Sequence, residues 1–474
     1  MSAAHSNHQF AGFGLLTGPL LAALAYAFIP DGAAGGLDHG GRVTAAIGIW
    51  MAVWWMTEAI PLPATSLLPV VLFPLTDALP AAAAMRPYAS EIVFLFMGGF
   101  MIGLAMQRWG LHRRIALNIV RAVGTSPPRL VGGFMLATAS LSLWISNTAS
   151  TVMLLPVGIS VIELLRRHVT ADDRPALDNL STCLMLGIAY AASIGGLGTL
   201  IGSPPNLVLA NYARAELGID VTMVAWMKVG IPVVVVLLPT AWLYLTRVAH
   251  PLRLVVPAAA REEMRAEFAG LGPISRGERI VAIVFACTAL AWIFRPQLAA
   301  LTGLTALSDA IIAMTGALAL FLLRALDWDT AQKLPWGILL LFGGGLSLAA
   351  AISANGVDAW LASGFAGLDG VHLLWVLLAA TTLVVFLTEL SSNTAVANTF
   401  IPVLAAAAIG LGLDPMPVLF AAALAATCAF MLPVATPPNA IVFASGMVSI
   451  RQMMRAGFGL NLIAIATITA IIAL

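Results

Sequence analysis

Long apolar runs recur from one end of the chain to the other, and they restrict the possible folds more than any other feature. A helix needs about 20 apolar residues to cross the roughly 30 Å hydrocarbon core of a bilayer. Only 9% of the 474 residues are charged, whereas soluble domains carry about a quarter. The sequence therefore predicts an all-α polytopic membrane protein. The runs include Phe13–Phe28, Ala45–Trp55, Val70–Leu79, Glu91–Met106, Ile231–Thr246, Ile280–Phe294, Ile311–Leu323 and Leu460–Leu474.

Composition also narrows the function classes. The formal net charge is +1, which gives no electrostatic case for a nucleic-acid partner. Cys183, Cys287 and Cys428 lie in separate apolar runs, and we expect small buried hydrophobic residues rather than a metal or redox site. The sequence shows no clustered His, Asp and Glu set and no nucleophile beside a base, so we predict that the protein is not an enzyme.

Basic residues suggest a topology, because Lys and Arg of short loops are enriched on the cytoplasmic side. With the N-terminus inside, we predict about 11 transmembrane helices plus two re-entrant hairpins, at 130–165 and 371–410. This arrangement places 18 of the 23 basic residues inside and 5 outside. A first hairpin that crossed fully would put Arg108–Arg129 or Arg166–Arg174 on the outer side. The predicted crossings are 11–29, 42–58, 63–79, 91–107, 180–212, 228–247, 279–296, 308–324, 336–352, 416–448 and 456–474.

The chain contains an internal repeat. Ser-Asn-Thr-Ala at 146–149 returns at 392–395, and Leu-Pro-Val at 155–157 returns as Ile-Pro-Val at 401–403, both at an offset of 246 residues. Pro-Pro-Asn at 204–206 returns at 437–439, at an offset of 233. The predicted topology places an odd number of crossings between corresponding points, so it predicts an inverted two-fold repeat. Inverted repeats with broken helices are typical of secondary transporters, whose site lies at the repeat interface near the midplane.

Each Ser-Asn-Thr motif lies inside an apolar run, where polar side chains that faced lipid would be costly. A helix that breaks there presents N–H groups to an anion, and carbonyls and hydroxyls to a hard cation such as Na⁺. Paired prolines at 204–205 and 437–438 interrupt a further helix in each half, since proline cannot continue a helix. In the alternative interpretation, the Ser and Thr side chains only bond to the preceding turn or join helices. The duplication favours a functional site.

These motifs resemble those of the divalent anion/sodium symporter family, which includes bacterial dicarboxylate transporters and animal di- and tricarboxylate carriers. The resemblance runs from about Ile49 to the C-terminus. Besides both Ser-Asn-Thr motifs, it is carried by Trp-Trp-Met-Thr-Glu-Ala-Ile-Pro at 54–61, Gly-Ser-Pro-Pro-Asn at 202–206 and Leu-Pro-Val-Ala-Thr-Pro-Pro-Asn at 432–439.

The resemblance implies a carrier of C4-dicarboxylates, of the succinate, malate and fumarate type, coupled to Na⁺. It also implies a homodimer in the bacterial inner membrane and an elevator in which a transport domain slides along a scaffold. The basic residues predict a cytoplasmic N-terminus, and the odd number of predicted crossings then gives a periplasmic C-terminus. The corresponding segments are 1–129 (scaffold helices and an interfacial arm), 130–247 (hairpin and broken helix of the first repeat), 248–370 (linker, further scaffold helices and a second arm) and 371–474 (hairpin, broken helix and last helix of the second repeat).

The resemblance also implies which residues bind the solutes. One Na⁺ site would use Ser142, Ser146, Asn147 and carbonyls around Gly195, and the other would use Thr388, Ser391, Asn393 and the carbonyl of Ala435. The substrate would contact Asn147, Thr148, Ser392, Asn393, Thr394, Thr436 and Pro437. Independently of the family, Ser142 and Thr388 each lie four residues before the serine of their motif, which is one helical turn.

Other functions remain open from the sequence. They are sodium-independent dicarboxylate exchange, sulfate or citrate transport, an anion channel, an antiporter of metal oxyanions or protons in which Glu389 would matter most, and a proton-coupled transporter in which Glu389 carries protons. An acid inside an apolar run is a functional candidate, but the first motif has Leu143 at the position that matches Glu389. That difference favours a structural role for Glu389, as a hydrogen-bonding anchor of the hairpin.

Overall fold

The computed structural model describes residues 2–32, 36–269, 272–304, 306–364 and 370–474. Within these ranges the regular structure is helical, apart from an isolated bridge between Asp31 and Leu37. The predicted all-α class is therefore confirmed. Residues 365–369, which belong to the predicted second arm, lie outside the described ranges.

The helices fall into two halves of similar order. Those of the first half are α1 (Ser2–Phe28), α2 (His39–Thr57), α3 (Leu62–Thr65), α4 (Leu68–Leu75), α5 (Ala81–Met85), α6 (Glu91–Arg108), α7 (Leu111–Val123), α8 (Pro127–Ser142), α9 (Asn147–His168), α10 (Arg174–Gly196), α11 (Pro204–Glu216) and α12 (Met223–Tyr244). Those of the second half are α13 (Ala258–Ala269), α14 (Arg276–Ile293), α15 (Arg295–Thr302), α16 (Asp309–Leu322), α17 (Trp328–Ala331), α18 (Trp336–Ala354), α19 (Val357–Ser363), α20 (Leu373–Thr388), α21 (Asn393–Gly410), α22 (Pro415–Thr427), α23 (Pro437–Ala444) and α24 (Ile450–Ala473).

Several of these helices can cross a membrane. By length and hydropathy, seven helical segments of the described chain qualify, and an eighth results if the bent pair α14 and α15 is one span. A multi-pass membrane protein is thereby confirmed. The count of about 11 crossings stays a prediction, because further apolar helices have only 10–17 residues. These shorter helices are Gly14–Phe28, Leu62–Leu75, Asp309–Leu322, Leu373–Thr388 and Pro415–Thr427.

The segments predicted as re-entrant hairpins contain the helix pairs α8–α9 and α20–α21. Their re-entrant course stays a prediction, because α9 and α21 are long and apolar enough to cross a membrane. Both α8 and α20 have 16 residues, or roughly 24 Å at 1.5 Å per residue, which is shorter than the hydrocarbon core. Each ends a few residues before its Ser-Asn-Thr motif, and the next helix begins at the asparagine of that motif. The helices therefore break where the polar motifs predict.

Local chemistry explains where α9, α11 and α23 begin. Ser146 caps α9, and its side chain accepts a hydrogen bond from Ala149 N at 3.3 Å. Thr436 caps α23 in the same way through Asn439 N, also at 3.3 Å. Prolines occupy the first positions of α11 and α23, where their missing N–H costs nothing and their fixed φ suits a helix start.

Glycines mark equivalent positions in the two halves. Gly110 and Gly356 lie 246 residues apart, have φ of 71° and 66°, and precede α7 and α19. These two short helices are the described parts of the predicted arms. The glycines of α18 allow close approach, since a Cβ on Gly345 would lie 2.3 Å from Asn398 Oδ1 and one on Gly344 would lie 2.4 Å from Ser66 O.

Two sequence expectations need correction. Cys183 and Cys428 are buried as expected, but Cys287 is exposed, because it lies on the outward face of α14 and a polytopic protein can present apolar residues to lipid. The linker expected at the start of segment 248–370 contains α13, which packs against α7 and α9.

Candidate functional site

The first Ser-Asn-Thr motif lies at the break between α8 and α9. Ser142 is fully buried at the end of α8, and its Oγ donates to Ala192 O at 2.6 Å. With the Asn147 carboxamide oriented so that its nitrogen faces acceptors, Nδ2 has three acceptors for its two protons, namely Ser142 Oγ (2.7 Å), Ala192 O (3.0 Å) and Gly202 O (3.2 Å). A Cβ on Gly196 would lie 2.4 Å from this carboxamide. The structure thus brings Ser142, Asn147 and the end of α10 together.

The second motif repeats this arrangement at the break between α20 and α21. Thr388 is fully buried, and its Oγ1 lies 2.8 Å from Asn393 Oδ1 and 2.8 Å from Ala426 O. A hydroxyl carries a single proton, so it donates to one of these oxygens at a time. Ser391 Oγ is buried and has no hydrogen-bond partner in the described part of the chain. Each half therefore joins a hydroxyl, a carboxamide and a helix carbonyl.

Asn206 and Asn439 hold the unwound segments 197–203 and 428–436 in shape. Both are fully buried. Asn206 Nδ2 donates to Gly196 O (2.8 Å) and Thr199 O (2.7 Å). Asn439 Nδ2 donates to the carbonyls 233 residues further on, those of Ala429 (3.1 Å) and Leu432 (3.0 Å). The sequence predicted a helix interruption at each Pro-Pro-Asn, but it did not predict that the asparagine side chains would bind the carbonyls of the unwound segments.

Glu389 fastens the second hairpin to the second unwound segment. Although it lies within an apolar stretch, it is 3% exposed and accepts four hydrogen bonds. Its Oε1 accepts from Phe430 N (2.6 Å) and Met431 N (2.9 Å). Oε1 also accepts from Asn461 Nδ2 (2.8 Å), and Oε2 accepts from Leu432 N (3.0 Å). Four donors and no acceptor suit an ionised carboxylate, which is the anchor geometry that the sequence favoured.

The two halves meet through their broken helices. α9 of the first half packs against α23 of the second, and α21 packs against α11. Ser203 Oγ and Thr427 Oγ1, one in or beside each broken helix, lie 2.9 Å apart. Each motif helix therefore packs against the proline-capped helix of the other half.

The remaining predicted residues take different places around this crossing. Thr148 and Thr394 lie in the first turns of α9 and α21, and Ser392 is the N-cap of α21. Gly195 lies in the last turn of α10, where a Cβ would come within 2.4 Å of Ala139 O. Ala435, Thr436 and Pro437 end the second unwound segment and start α23. Ser146 Oγ is turned to the backbone of its own helix.

Comparisons with known proteins identify the family of this chain. Residues 14–474 match the family described as "Sodium:sulfate symporter transmembrane region". The sodium-dependent dicarboxylate transporter SdcS of Staphylococcus saprophyticus is 40% identical over 471 residues, covering 97% of this chain and 90% of the relative. SdcS of Staphylococcus aureus strain USA300 matches with the same identity and coverage.

Two solved transporters share the fold at low sequence identity. Alcanivorax borkumensis YdaH matches with a TM-score of 0.54 and 16% identity, covering 82% of this chain and 84% of that one. Neisseria gonorrhoeae MtrF matches with a TM-score of 0.58 and 11% identity, covering 92% and 94%. The match over nearly the whole length places the function of the chain among transporters, and the chain belongs to the sodium:sulfate symporter family, the divalent anion/sodium symporters that its motifs resemble.

Proposed function

We propose that this protein is a secondary active transporter that moves C4-dicarboxylates, of the succinate, malate and fumarate type, together with Na⁺. The duplicated half-site carries the proposal, because each half aligns a buried hydroxyl with a carboxamide at a helix break. Both relatives are named sodium-dependent dicarboxylate transporters, which supports both solutes.

The two half-sites suit sodium because they are rich in neutral oxygen atoms. In the first, Ser142, Ser146, Asn147 and the carbonyl of Gly195 bind one Na⁺. In the second, Thr388, Ser391, Asn393 and the carbonyl of Ala435 bind another. Support comes from Ser391 Oγ, a buried oxygen without a partner in the described chain, and from the short contacts of Ser142 and Thr388 to helix carbonyls.

The substrate dianion lies between the two motif helices. The positive ends of α9 and α21 attract carboxylates, and the polar side chains there donate hydrogen bonds without a fixed charge that would trap the solute. The contacts on one carboxylate are Asn147 and Thr148, and those on the other are Ser392, Asn393 and Thr394. Thr436 and Pro437, at the start of α23, complete the site.

The transport cycle is an elevator in a homodimer of the bacterial inner membrane, with the N-terminus cytoplasmic and the C-terminus periplasmic. Segments 130–247 and 371–474 form the moving part, which is supported by the packing of α9 on α23 and of α21 on α11. Segments 1–129 and 248–370 form the scaffold, where α6 packs against α16. The ion pairs Glu91–Arg214 and Asp220–Arg295 join the two parts, and partly exposed pairs are weak enough to break and reform.

Sulfate is the second candidate substrate, because the family description names it. The test is uptake of labelled succinate, and separately sulfate, into proteoliposomes with an inward Na⁺ gradient, without one, or with internal succinate instead. We expect succinate uptake that requires Na⁺. Asn147→Ala and Asn393→Ala should abolish it, whereas Asn118→Ala, at an exposed position of α7, should leave it unchanged.

Three results would overturn parts of this proposal. Uptake that depends on internal succinate and ignores Na⁺ would make the protein an exchanger and remove the sodium sites. Sulfate uptake without succinate uptake would change the substrate class. Flux that rises linearly with substrate and does not saturate would indicate a channel.

A further inference from the structure

A cavity of about 280 Å³ lies between α7 and α9, outside the central site. This volume is close to the roughly 300 Å³ at which small-molecule sites begin. Its wall on α9 runs from Met153 to Ser160, or about 9 to 20 Å along the helix from Asn147 at 1.5 Å per residue. The cavity therefore lies beside the helix that carries the first motif, towards the end that the basic residues place in the cytoplasm. Its lining residues are His112, Arg113, Leu117, Met153, Pro156, Val157 and Ser160.

Arg113 gives this cavity a positive charge. The nearby Arg108 and Arg114 are bound to carboxylates, those of Asp327 at 2.5 Å and Glu278 at 2.7 Å. Arg113 is exposed and takes part in no ion pair of the described residues. No Asp or Glu is among the lining residues. An unpaired guanidinium is thus available for a carboxylate, which it can bind through two parallel hydrogen bonds.

The other polar groups of the lining add hydrogen-bonding capacity but no charge at pH 7. Burial lowers the pKa of His112, against the opposing effect of its contact with Met106 O, and Arg113 lowers it further. The ring is held with Nδ1 3.0 Å from that carbonyl. Ser160 Oγ donates to Pro156 O at 3.0 Å, and a hydroxyl can rotate to another acceptor. Leu117, Met153 and Val157 supply an apolar wall for a methylene chain.

We propose that this cavity is a cytoplasmic subsite for the transported dicarboxylate, in which Arg113 holds one carboxylate on the way between the central site and the cytoplasm. The inference rests on the proposed function, since it takes the same dianion as its ligand. It adds a fixed positive charge to a route whose central site has none, so solute is concentrated at the mouth without being trapped at the centre.

An anionic phospholipid headgroup shares the chemistry of a carboxylate here. The dicarboxylate is favoured because the cavity is walled by α9, the helix whose first residues belong to the candidate site. Leu117 of its lining is buried. The experiment distinguishes a bound lipid from a bound dicarboxylate by comparing vesicles with and without anionic phospholipid.

The experiment measures half-saturating succinate at each face of Arg113→Gln in phosphatidylcholine proteoliposomes of known orientation. We expect the half-saturating succinate concentration to rise about tenfold at the cytoplasmic face, because one charge-assisted contact is lost. At the outer face it should change less than twofold. Arg113→Lys should recover most of the affinity. Arg121→Gln, which neutralises an exposed arginine of α7 outside the cavity, should change neither face.

A second measurement is independent of transport rates. Ser160→Cys, in a Cys287→Ser background that removes the exposed native thiol, is alkylated from the cytoplasmic face with and without succinate. Protection by succinate that is lost in Arg113→Gln supports the subsite, and its absence at saturating succinate contradicts it.

The inference is also overturned if Arg113→Gln changes both faces equally, changes neither, or acts only when the vesicles contain anionic phospholipid, which would make the cavity a lipid site. These failures differ from failure of the proposed function. In the latter case the wild-type protein itself shows no Na⁺-driven succinate uptake, whereas here the wild type transports and only the effect of Arg113 is missing.

Discussion

The two half-sites share their motifs but are fastened by different chemistry. In the first, Leu143 packs so closely on the unwound segment that a Cβ on Gly198 would lie 2.2 Å from its Cδ2, and Thr199 Oγ1 donates to Leu143 O. In the second, the matching residue is Glu389, which accepts three backbone N–H groups of the unwound segment. An apolar contact and a buried carboxylate thus do the same structural task in the two halves.

This difference teaches that the repeat constrains backbone shape more tightly than side-chain chemistry. The backbone geometry at the helix breaks recurs, because Asn206 and Asn439 each donate to two carbonyls at equivalent positions. What varies is the means of holding it. No ion pair of the described residues neutralises Glu389, so the two half-sites also differ in electrostatic environment. The following predictions test that comparison.

Glu389→Leu should have the largest effect. It places in the second half the leucine of the first, but Met431 stands where the first half has Gly198, the glycine against which Leu143 packs. Three backbone N–H groups and the Asn461 amide lose their acceptor, and we expect the free energy of unfolding to fall by roughly 3 to 5 kcal/mol. Thermal unfolding in detergent measures it, with uptake as the second readout. The control, Leu143→Met, should cost less than about 1.5 kcal/mol. Equal losses at the two positions would remove the proposed difference between the halves.

Asn206→Ala and Asn439→Ala should have similar effects, since each removes two hydrogen bonds to buried carbonyls. We expect each to lower the free energy of unfolding by about 2 kcal/mol. Denaturant or thermal unfolding of the two variants side by side tests this, with Asn118→Ala as the exposed control. A large loss of unfolding free energy in one variant with none in the other would mean that Asn206 and Asn439 are not equivalent.

Ser142→Ala and Thr388→Val each remove one hydroxyl from a half-site. If these oxygens bind Na⁺, each loss should raise the half-saturating Na⁺ concentration for uptake about tenfold, which corresponds to roughly 1.4 kcal/mol. Because Leu143 adjoins Ser142 and Glu389 adjoins Thr388, a difference between the two variants would show that the half-sites are not equivalent. Thr315→Val, exposed on α16, is the matched control. An unchanged Na⁺ dependence in both variants would contradict the sodium sites.

Gly110→Ala and Gly356→Ala should have the smallest effects. Both glycines have positive φ, and nothing lies within 4 Å of a Cβ added at either, so the cost is backbone strain alone, about 1 kcal/mol. Thermal unfolding should show the same small shift for both. A much larger loss for one of them would mean that the two arms are held differently.

The sequence predicted the broad architecture because the relevant signals are local. Run length and hydropathy identify membrane helices. Serine and threonine caps, together with proline, mark where α9, α11 and α23 begin, since each acts on the backbone within a few residues of itself. The offset of 246 residues also pairs Ser142 with Thr388, and the offset of 233 pairs Asn206 with Asn439; the structure places both pairs in matching contacts.

The sequence favoured Glu389 as an anchor of its hairpin, but the backbone groups that anchor the site could not be predicted from the same local signals. Asn206, Asn439 and Glu389 bind backbone N–H and carbonyl groups, and every residue type but proline offers both groups, so the sequence carries no mark of which ones are chosen. Residue type and spacing by themselves determined that this chain is an all-helical membrane protein with two broken, polar-centred helix pairs. Only the tertiary structure decided which carbonyls face those pairs and that α9 crosses α23 while α21 crosses α11, because such contacts depend on how distant segments approach one another in three dimensions.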